Sequence, residues 1–184
     1  MRIAIIGAGI GGLVTAAALQ RDGHAVTVLE RRPHAGALGA GLSLFGNSFA
    51  ALNSVGLGAI VAPLAASNSG LVRAGQRTPD GRWLVTLPPR AVASMRILHR
   101  VDLHNALANA LEPGTLHSGC EASVPEDGSP TVTVTSTVDA SIADPVAGST
   151  ATFDLVVAAD GIQSRTRSAL GLDAVSGGNG GIRY

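Results

Sequence analysis

The chain has 184 residues, of which 46% are hydrophobic and 14% charged, and this composition is typical of a folded protein and not of a disordered one. Its 13 basic and 13 acidic residues cancel, so no net field draws the protein toward nucleic acid or an anionic membrane. The single cysteine, Cys120, excludes a disulfide framework within the chain. We expect Cys120 to be a small buried side chain and the protein to be cytoplasmic.

The first thirty residues predict a strand, a helix and a second strand. Residues 2–6 form a short apolar run typical of a strand buried on both faces, and a glycine-rich turn follows. The alanine-rich stretch Leu13 to Arg21 favours a helix that ends at Gly23, and residues 24–30 are rich in β-branched side chains. We therefore expect a right-handed βαβ unit with parallel strands.

The uncharged stretch from Ile3 to Leu19 does not predict a membrane span. It is shorter than the ~20 residues that a spanning helix needs. Glycines also interrupt the middle of this stretch, and they disfavour a signal peptide as well, because its apolar core would be broken. We expect no membrane partner and no targeting segment.

The middle of the chain predicts a helix and a hairpin. The stretch "NSFAALNSVG" favours a helix capped by Asn47 or Ser48 and ended by Gly56. Two strand-like halves flank Asp80-Gly81, which is a strong hairpin signal. This hairpin is expected to be a small antiparallel insertion at about residues 71–95.

The last third of the chain predicts a helix, two strands and a final short helix. Apolar residues recur every four positions from Val101 to Leu111 and mark one buried helical face. Residues 130–138 alternate as a half-exposed strand, whereas 153–161 is an apolar run followed by a helix from about Ser164. The fold class predicted is α/β, a Rossmann-like parallel sheet with a small antiparallel excursion, in one domain over 1–184.

The glycines after the first strand have the spacing of a dinucleotide-binding turn. Gly7 permits a tight turn, Gly9 allows backbone to approach a pyrophosphate, and Gly12 with Ala16 allows helix and strand to pack closely. The pyrophosphate would lie against the positive end of the helix. Glu30, at the end of the second strand, is placed to accept hydrogen bonds from an adenosine ribose, and its charge disfavours a 2'-phosphate there.

Four stretches, in order, resemble the FAD-dependent monooxygenases of the aromatic-ring hydroxylase type, the p-hydroxybenzoate hydroxylase group. They are "GAGIGGLVTAAALQRDGHAVTVLERR", "GAGLSLFGNSFAALNSVGLG", "ILHRVDLHNALANAL" and "VVAADGIQSRTRSALG". The resemblance covers essentially the whole chain, and four ordered motifs are more specific than a glycine turn alone.

The resemblance implies FAD as cofactor and assigns roles to residues outside the glycine turn. Glu30 and Arg31 match the pair that holds the adenosine end, Gly39 to Leu42 match a loop beside the flavin, and Arg100 matches an arginine that reaches the flavin or its pyrophosphate. Asp160-Gly161, with Ser164 and Arg167 behind them, resemble a motif that serves both FAD and the nicotinamide donor. The predicted cofactor-binding residues are Gly7, Gly9, Ile10, Gly11, Gly12, Glu30, Arg31, Gly41, Leu42, Arg100, Asp160 and Gly161.

The activity implied is that of a monooxygenase that uses NAD(P)H as co-substrate and O2 to hydroxylate an aromatic or polyketide-like small molecule. We predict no catalytic side chain, because the cofactor carries the oxygen chemistry. We also predict no metal site, because His99 and His104 do not share a helix face. Two alternatives stay open: a non-catalytic nucleotide-binding fragment that needs a second chain, and an NAD-dependent Rossmann dehydrogenase. An absorption spectrum distinguishes FAD from NAD.

The resemblance also raises a question about length. Members of the family continue beyond the Asp-Gly motif into substrate-facing strands and a further Gly-Asp motif that holds the ribityl chain, whereas "GNGGIRY" ends this sequence. Gly46 also stands where a proline is common in the family. We therefore expect a truncated domain that holds FAD loosely, oxidises NAD(P)H without hydroxylation, and forms a homo-oligomer or needs a complementing C-terminal chain.

Overall fold

The structure is a computed structural model and describes residues 1–33, 41–65, 73–139 and 144–172. The strands in these ranges, in chain order, are β1 (Arg2–Ile6), β2 (Ala25–Glu30), β3 (Gly41–Leu44), β4 (Gly75–Arg77), β5 (Trp83–Thr86), β6 (Arg96–His99), β7 (Leu116–Ser118), β8 (Cys120–Ser123), β9 (Thr131–Ser136), β10 (Thr150–Thr152) and β11 (Leu155–Ala158). The α-helices are α1 (Ile10–Arg21), α2 (Gly46–Ser54), α3 (Gly58–Val61), α4 (Pro89–Val92), α5 (Arg100–Asn109) and α6 (Arg165–Ala169).

The chain divides into two compact units, each made of separate stretches of sequence. The first unit comprises Met1–Gly12, His24–Ala35 and Pro113–Tyr184. The second unit comprises Leu13–Gly23 and Gly36–Glu112. Among the described residues, no helix has both the length and the apolar character that crossing a membrane requires.

A parallel sheet with strand order β11-β1-β2-β7 forms the centre of the first unit. Strand β1 pairs with β2 on one side and β11 on the other, so that Ile3 lies opposite both Val26 and Leu155. Four of the five β1 residues are buried, because a central strand in a parallel sheet is covered on both faces. The predicted parallel βαβ unit and the α/β class are confirmed.

The first unit also contains a three-stranded antiparallel sheet with strand order β10-β9-β8. The apolar face of this sheet packs against the parallel sheet. Val132 and Val134 of β9 are buried while the threonines between and beside them reach the surface, which confirms the predicted alternation. Cys120 of β8 is fully buried in this core together with Ala4 and Leu29 of the parallel sheet. Burial, and then the charge of Asp144, raise the pKa of the Cys120 thiol.

The second unit contains two small antiparallel sheets, β3 with β6 and β4 with β5. The predicted hairpin is present, and Gly81 in its turn has φ +89°. Helix α5 buries Leu103 and Leu107 on the predicted face, and His104 is buried beside them.

The predicted cap of α2 was wrong. The helix begins at Gly46, and Phe45 is its N-cap residue without a side-chain hydrogen bond, so Asn47 and Ser48 lie inside the first turn. The hydroxyl of Ser94 instead accepts a hydrogen bond of 3.2 Å from the Gly46 N–H. Ser94 is distant in sequence, so the local pattern could not indicate it. The predicted end is confirmed, because Gly56 has φ +80° and its N–H bonds to the Asn53 carbonyl.

Candidate functional site

The turn after β1 needs a glycine at position 7. Gly7 has φ +104°, a region that side-chain-bearing residues rarely adopt, and its N–H donates to the Leu29 carbonyl at 2.8 Å. A Cβ added to Gly7 would lie 2.5 Å from the Ala159 carbonyl oxygen and 3.1 Å from the Asp160 Cα. The end of β11 therefore closes against this turn, and the backbone of residues 159–160 lies beside it.

The four glycines of the turn differ in what surrounds them. A Cβ on Gly12 would collide with the Gly7 carbonyl oxygen and would lie 3.3 Å from the Ala159 Cβ. A Cβ on Gly9 or Gly11 would meet nothing within 4 Å, and both residues are exposed. Gly7 and Gly12 are thus required by the fold of the chain itself. At Gly9 and Gly11 the space that a side chain would occupy is open to an approaching molecule.

The open space beside Gly9 and Gly11 lies where helix α1 begins. The helix starts at Ile10, which is half-buried, and its first turn contains no acidic residue that would neutralise the positive end of the helix dipole. Amide groups at a helix N-terminus and the positive end of the helix dipole together favour a bound anion. The arrangement is therefore suited to a phosphate or pyrophosphate.

Glu30 links the end of β2 to the glycine turn. One carboxylate oxygen accepts a hydrogen bond of 2.9 Å from the Ala8 N–H, and the other accepts one of 2.9 Å from the Arg32 N–H. A carboxylate offers about four acceptor positions, so half remain for a ligand. The backbone of Arg31, the residue after Glu30, is held by the Thr137 hydroxyl, which donates to the Arg31 carbonyl at 2.6 Å. The Arg31 side chain is exposed.

Asp160 holds the beginning of helix α6. The Ser164 hydroxyl donates to one Asp160 oxygen at 2.6 Å, and the Thr166 N–H donates to the other at 3.1 Å. Burial acts to raise the pKa of Asp160, but these hydrogen bonds outweigh burial and hold the pKa below its ordinary value. Gly161 follows with φ +86°, and Ser164 caps the helix by accepting from the Arg167 N–H at 2.9 Å.

The remaining predicted residues lie in the second unit. Gly41 and Leu42 of β3 pair with His99 and Leu98 of β6, and Arg100 follows directly as the exposed first residue of α5. The structure thus brings the β3 residues together with the strand that precedes Arg100. Gly39 and Ala40, which the resemblance also assigned to the flavin-side loop, lie outside the described residues.

The sequence did not indicate two features of the first unit. His117 of β7 forms a hydrogen bond of 2.9 Å with the Asp144 carboxylate, and His117 lies opposite Leu29 of the neighbouring strand β2. The second feature is the hydrogen bond between Glu30 and the Ala8 amide. The sequence indicated that Glu30 lies at the end of a strand, but it did not indicate that Glu30 contacts the glycine turn. No group of three or more potential metal ligands occurs in the part of the chain that the structure describes.

A parallel βαβ unit with an open glycine turn and an acid at the second strand's end defines a nucleotide-binding domain of the Rossmann type. The chain belongs to the FAD binding domain family, whose model matches residues 1–182. FAD is thus the cofactor, and the predicted resemblance to FAD-dependent aromatic-ring hydroxylases is confirmed.

Curated relatives with sequence similarity are hydroxylases and monooxygenases. Hispidin-3-hydroxylase of Neonothopanus nambi is 33% identical over 181 residues, which cover 91% of this chain and 39% of that protein. The 3-amino-4-hydroxybenzoate 2-monooxygenase of Streptomyces cremeus is 32% identical over 181 residues, which cover 95% of this chain and 43% of that protein. This chain therefore spans about two fifths of the length of these relatives.

Solved structures show the same fold. A variant of 2-methyl-3-hydroxypyridine-5-carboxylic acid oxygenase superposes with a TM-score of 0.72 at 24% identity, covering 92% of this chain and 42% of its own. A variant of HpxO from Klebsiella pneumoniae, solved in complex with FAD, superposes with a TM-score of 0.67 at 26% identity and covers 91% and 41%.

Proposed function

We propose that this chain is the FAD-holding domain of a monooxygenase that uses NAD(P)H and O2 to hydroxylate an aromatic or polyketide-like small molecule. One observation carries the proposal. In the turn from Gly7 to Gly12, the two glycines that the fold requires, Gly7 and Gly12, flank two that have open space where a side chain would be, and Glu30 holds the Ala8 amide beside them. Such a turn can admit a dinucleotide without any change of its own structure.

The first step in the proposal is binding of the pyrophosphate and the adenosine. The pyrophosphate would occupy the open space beside Gly9 and Gly11, with Ile10 between them at the start of α1. The two acceptor positions that Glu30 does not use would receive the ribose hydroxyls, and the exposed Arg31 would lie over the adenosine end. These charge-assisted hydrogen bonds are stronger than neutral ones.

The second step concerns Asp160 and Gly161. Both carboxylate oxygens of Asp160 are engaged by α6. Besides the cofactor contact that the resemblance implies, we assign Asp160 a positioning role, in which it holds the backbone of residues 160–161 next to Gly7. Gly161 supplies the turn that the following loop needs. The resemblance supports the remaining assignments, in which Gly41 and Leu42 lie beside the flavin and Arg100 reaches the flavin or its pyrophosphate. A guanidinium suits either partner because it is planar and permanently charged.

FAD supplies the redox chemistry when it is bound, taking hydride from NAD(P)H and passing electrons to O2. The chain's own residues bind and orient the cofactor and neutralise its phosphates. No side chain is assigned a chemical step. The proposal includes the domain over 1–184 with its insertion at about 71–95, a small-molecule substrate and a cytoplasmic location. The proposal also includes a homo-oligomer or a complementing C-terminal chain. The homo-oligomer is supported by a solved structure of similar fold that is described as a tetrameric form of 2-methyl-3-hydroxypyridine-5-carboxylic acid oxygenase.

Anaerobic reduction tests this function against the dehydrogenase alternative. The purified chain is titrated with FAD and, separately, with NAD⁺, and bound flavin is followed by its visible absorption. NADH or NADPH is then added without oxygen. We expect FAD to bind, NAD⁺ to leave the flavin in place, and the nicotinamide donor to bleach the flavin. Binding of NAD⁺ without binding of FAD would assign the turn to a dehydrogenase and overturn the proposal.

A further inference from the structure

The second unit contains a cleft at which three helices end. Helix α1 ends at Arg21, α2 at Ser54 and α5 at Asn109, and residues at or just beyond these ends line a space of about 280 Å³. A water molecule in the liquid occupies about 30 Å³, so the cleft has room for a ligand of about nine non-hydrogen atoms. All of its lining residues belong to the second unit.

The cleft lies at the opposite end of α1 from the glycine turn. The helix begins at Ile10, whereas Gln20 and Arg21 of its last turn line the cleft. At about 1.5 Å per residue, the two ends of this helix of 12 residues are roughly 16 Å apart. The cleft is therefore separate from the proposed nucleotide site.

Part of the lining of the cleft is apolar. The apolar side chains come from α1, from α3 and from the residues that follow α2 and α5: Ala17, Val55, Leu57, Ile60 and Ala110. Leu57 is buried, whereas Ile60 is 39% exposed. An apolar group that covers Ile60 removes this surface from water, which is favourable. The cleft thus favours a ligand with an apolar body.

Among the described residues that line the cleft, Arg21 is the only cation, and its guanidinium is already engaged. Its Nη1 donates to the Ser54 carbonyl at 2.6 Å and so satisfies the end of α2. Its Nε and Nη2 donate to the Asp22 carboxylate at 3.3 Å and 3.2 Å. All three guanidinium nitrogens therefore have acceptors within the protein, and Asp22 offsets the charge of Arg21.

Glu112 adds an acid to the cleft. Its backbone N–H donates to the Gln20 side-chain oxygen at 3.2 Å, which holds Glu112 against the end of α1. Within the described ranges Glu112 is exposed and forms no salt bridge. It follows α5, whose last turn contains no basic residue to meet the negative end of the helix dipole. The carboxylate and the helix end both favour a cation.

We propose that this cleft is a binding site for small primary amines that carry a compact apolar body. The ammonium group binds at Glu112 beside the end of α5, and the apolar body packs on the apolar part of the lining. An ammonium suits the position because it is a compact charge with three donors. Arg21, Asp22 and Glu112 together leave one net negative charge, which an amine neutralises. The inference goes beyond the proposed function and does not depend on FAD.

Calorimetric titration of the full chain at neutral pH tests the site with three probes. They are benzylamine, benzyl alcohol as its uncharged analogue, and methylammonium, which has the charge without the apolar body. We expect saturable binding of benzylamine and an affinity at least about tenfold weaker for the other two, corresponding to ~1.4 kcal/mol. Absence of benzylamine binding, or an equal affinity for either of the other probes, would overturn the proposal.

Variants assign the two parts of the ligand to residues of the cleft. Glu112→Gln is expected to weaken benzylamine binding at least about tenfold and to leave benzyl alcohol binding unchanged. Glu126→Gln, which removes an exposed acid of the first unit, is the matched control and is expected to bind like the wild type. Ile60→Ser keeps the charge and removes apolar surface, so it should weaken benzylamine but not methylammonium. Circular dichroism verifies the fold of each variant. Wild-type affinity for benzylamine in Glu112→Gln would contradict the assignment.

Addition of ADP distinguishes the cleft from the glycine turn. Saturating ADP is expected to leave the benzylamine affinity unchanged, because the cleft lies at the other end of α1. Competition between ADP and benzylamine would place the amine in the glycine turn and overturn the proposal. If benzylamine binds while neither FAD nor ADP binds, the proposed function fails and the cleft site stands. If FAD binds while benzylamine does not, the cleft proposal alone fails.

Discussion

The carboxylate of Glu30 accepts a hydrogen bond of 2.9 Å from the backbone N–H of Ala8, so the end of β2 is tied to the glycine turn that follows β1. Glu30 thus stabilises the turn through this hydrogen bond, and its remaining acceptor positions are available to a ligand. A substitution at Glu30 is therefore expected to affect both the turn and the bound nucleotide.

Glu30→Ala is expected to weaken binding of FAD and of ADP by roughly 1 to 3 kcal/mol, because a charged acceptor for the ribose hydroxyls is removed. Calorimetric titration of both ligands measures the effect, and ADP tests the adenosine end alone. Glu126→Ala removes an exposed acid at a turn and serves as the control. Loss of FAD affinity without loss of ADP affinity would place Glu30 elsewhere than at the ribose.

Gly7→Ala and Gly11→Ala are expected to have opposite effects on the free energy of unfolding. At Gly7 a methyl group would meet the Ala159 carbonyl and the backbone would be strained at φ +104°, so we expect a loss of about 1 to 3 kcal/mol. At Gly11, inside α1 and in open space, alanine is expected to gain up to about 1 kcal/mol. Urea unfolding followed by circular dichroism compares the two. Equal destabilisation by the two substitutions would contradict the assignment of a steric clash to Gly7 and open space to Gly11.

The stability of the domain should fall in acid partly through Asp160. Its pKa is lowered in the folded state, so its contribution is fully present above the unfolded pKa of about 4 and is lost as pH falls through the lower, folded pKa. We expect Asp160→Asn to be less stable than wild type at neutral pH, with a difference that shrinks from about pH 4 downward. Thermal unfolding at several pH values measures this, with Asp139→Asn as the exposed control. If the stability difference between wild type and Asp160→Asn stays constant with pH, Asp160 does not contribute to the acid sensitivity of the domain.

Cys120 should be chemically silent in the folded protein. It is fully buried, and burial together with Asp144 raises its pKa, so little reactive thiolate forms at neutral pH. We expect a disulfide reagent such as dithionitrobenzoate to leave the native protein unmodified over a period in which urea-unfolded protein reacts completely. Rapid reaction without urea would mean that the core around β8 and β9 opens readily.

Local patterns predicted much of the fold, and long-range contacts account for what they missed. Burial of a single element explains each local pattern that was predicted correctly: the continuous apolar run at residues 2–6, the spacing of Leu103 and Leu107, and the alternation around Val132. The start of α2 escaped prediction because Ser94, distant in the chain, bonds to its first amide. No local signal could reveal that contact.

The candidate site shows the same division. Spacing alone located Gly7, Gly9, Gly12 and Glu30, since a dinucleotide-binding turn requires those residue types at those intervals. Spacing could not separate the glycines that the fold requires from those that stay open. At Gly12 the requirement comes from the Gly7 carbonyl, and at Gly7 it comes from Ala159, which reaches the turn only because β11 pairs with β1. Their roles in holding FAD stay predictions until binding is measured.

Calorimetric titration of FAD into the wild-type chain and into Gly9→Val tests the central claim most directly. A branched side chain at Gly9 enters space that is empty in the protein, so the fold should survive, but in the proposed site that space receives the pyrophosphate. Ala50→Val, at an exposed position of α2, is the control for adding the same bulk. We predict that Gly9→Val loses FAD binding while keeping the circular dichroism spectrum and melting temperature of the control; FAD affinity equal to that of the wild type would contradict the account.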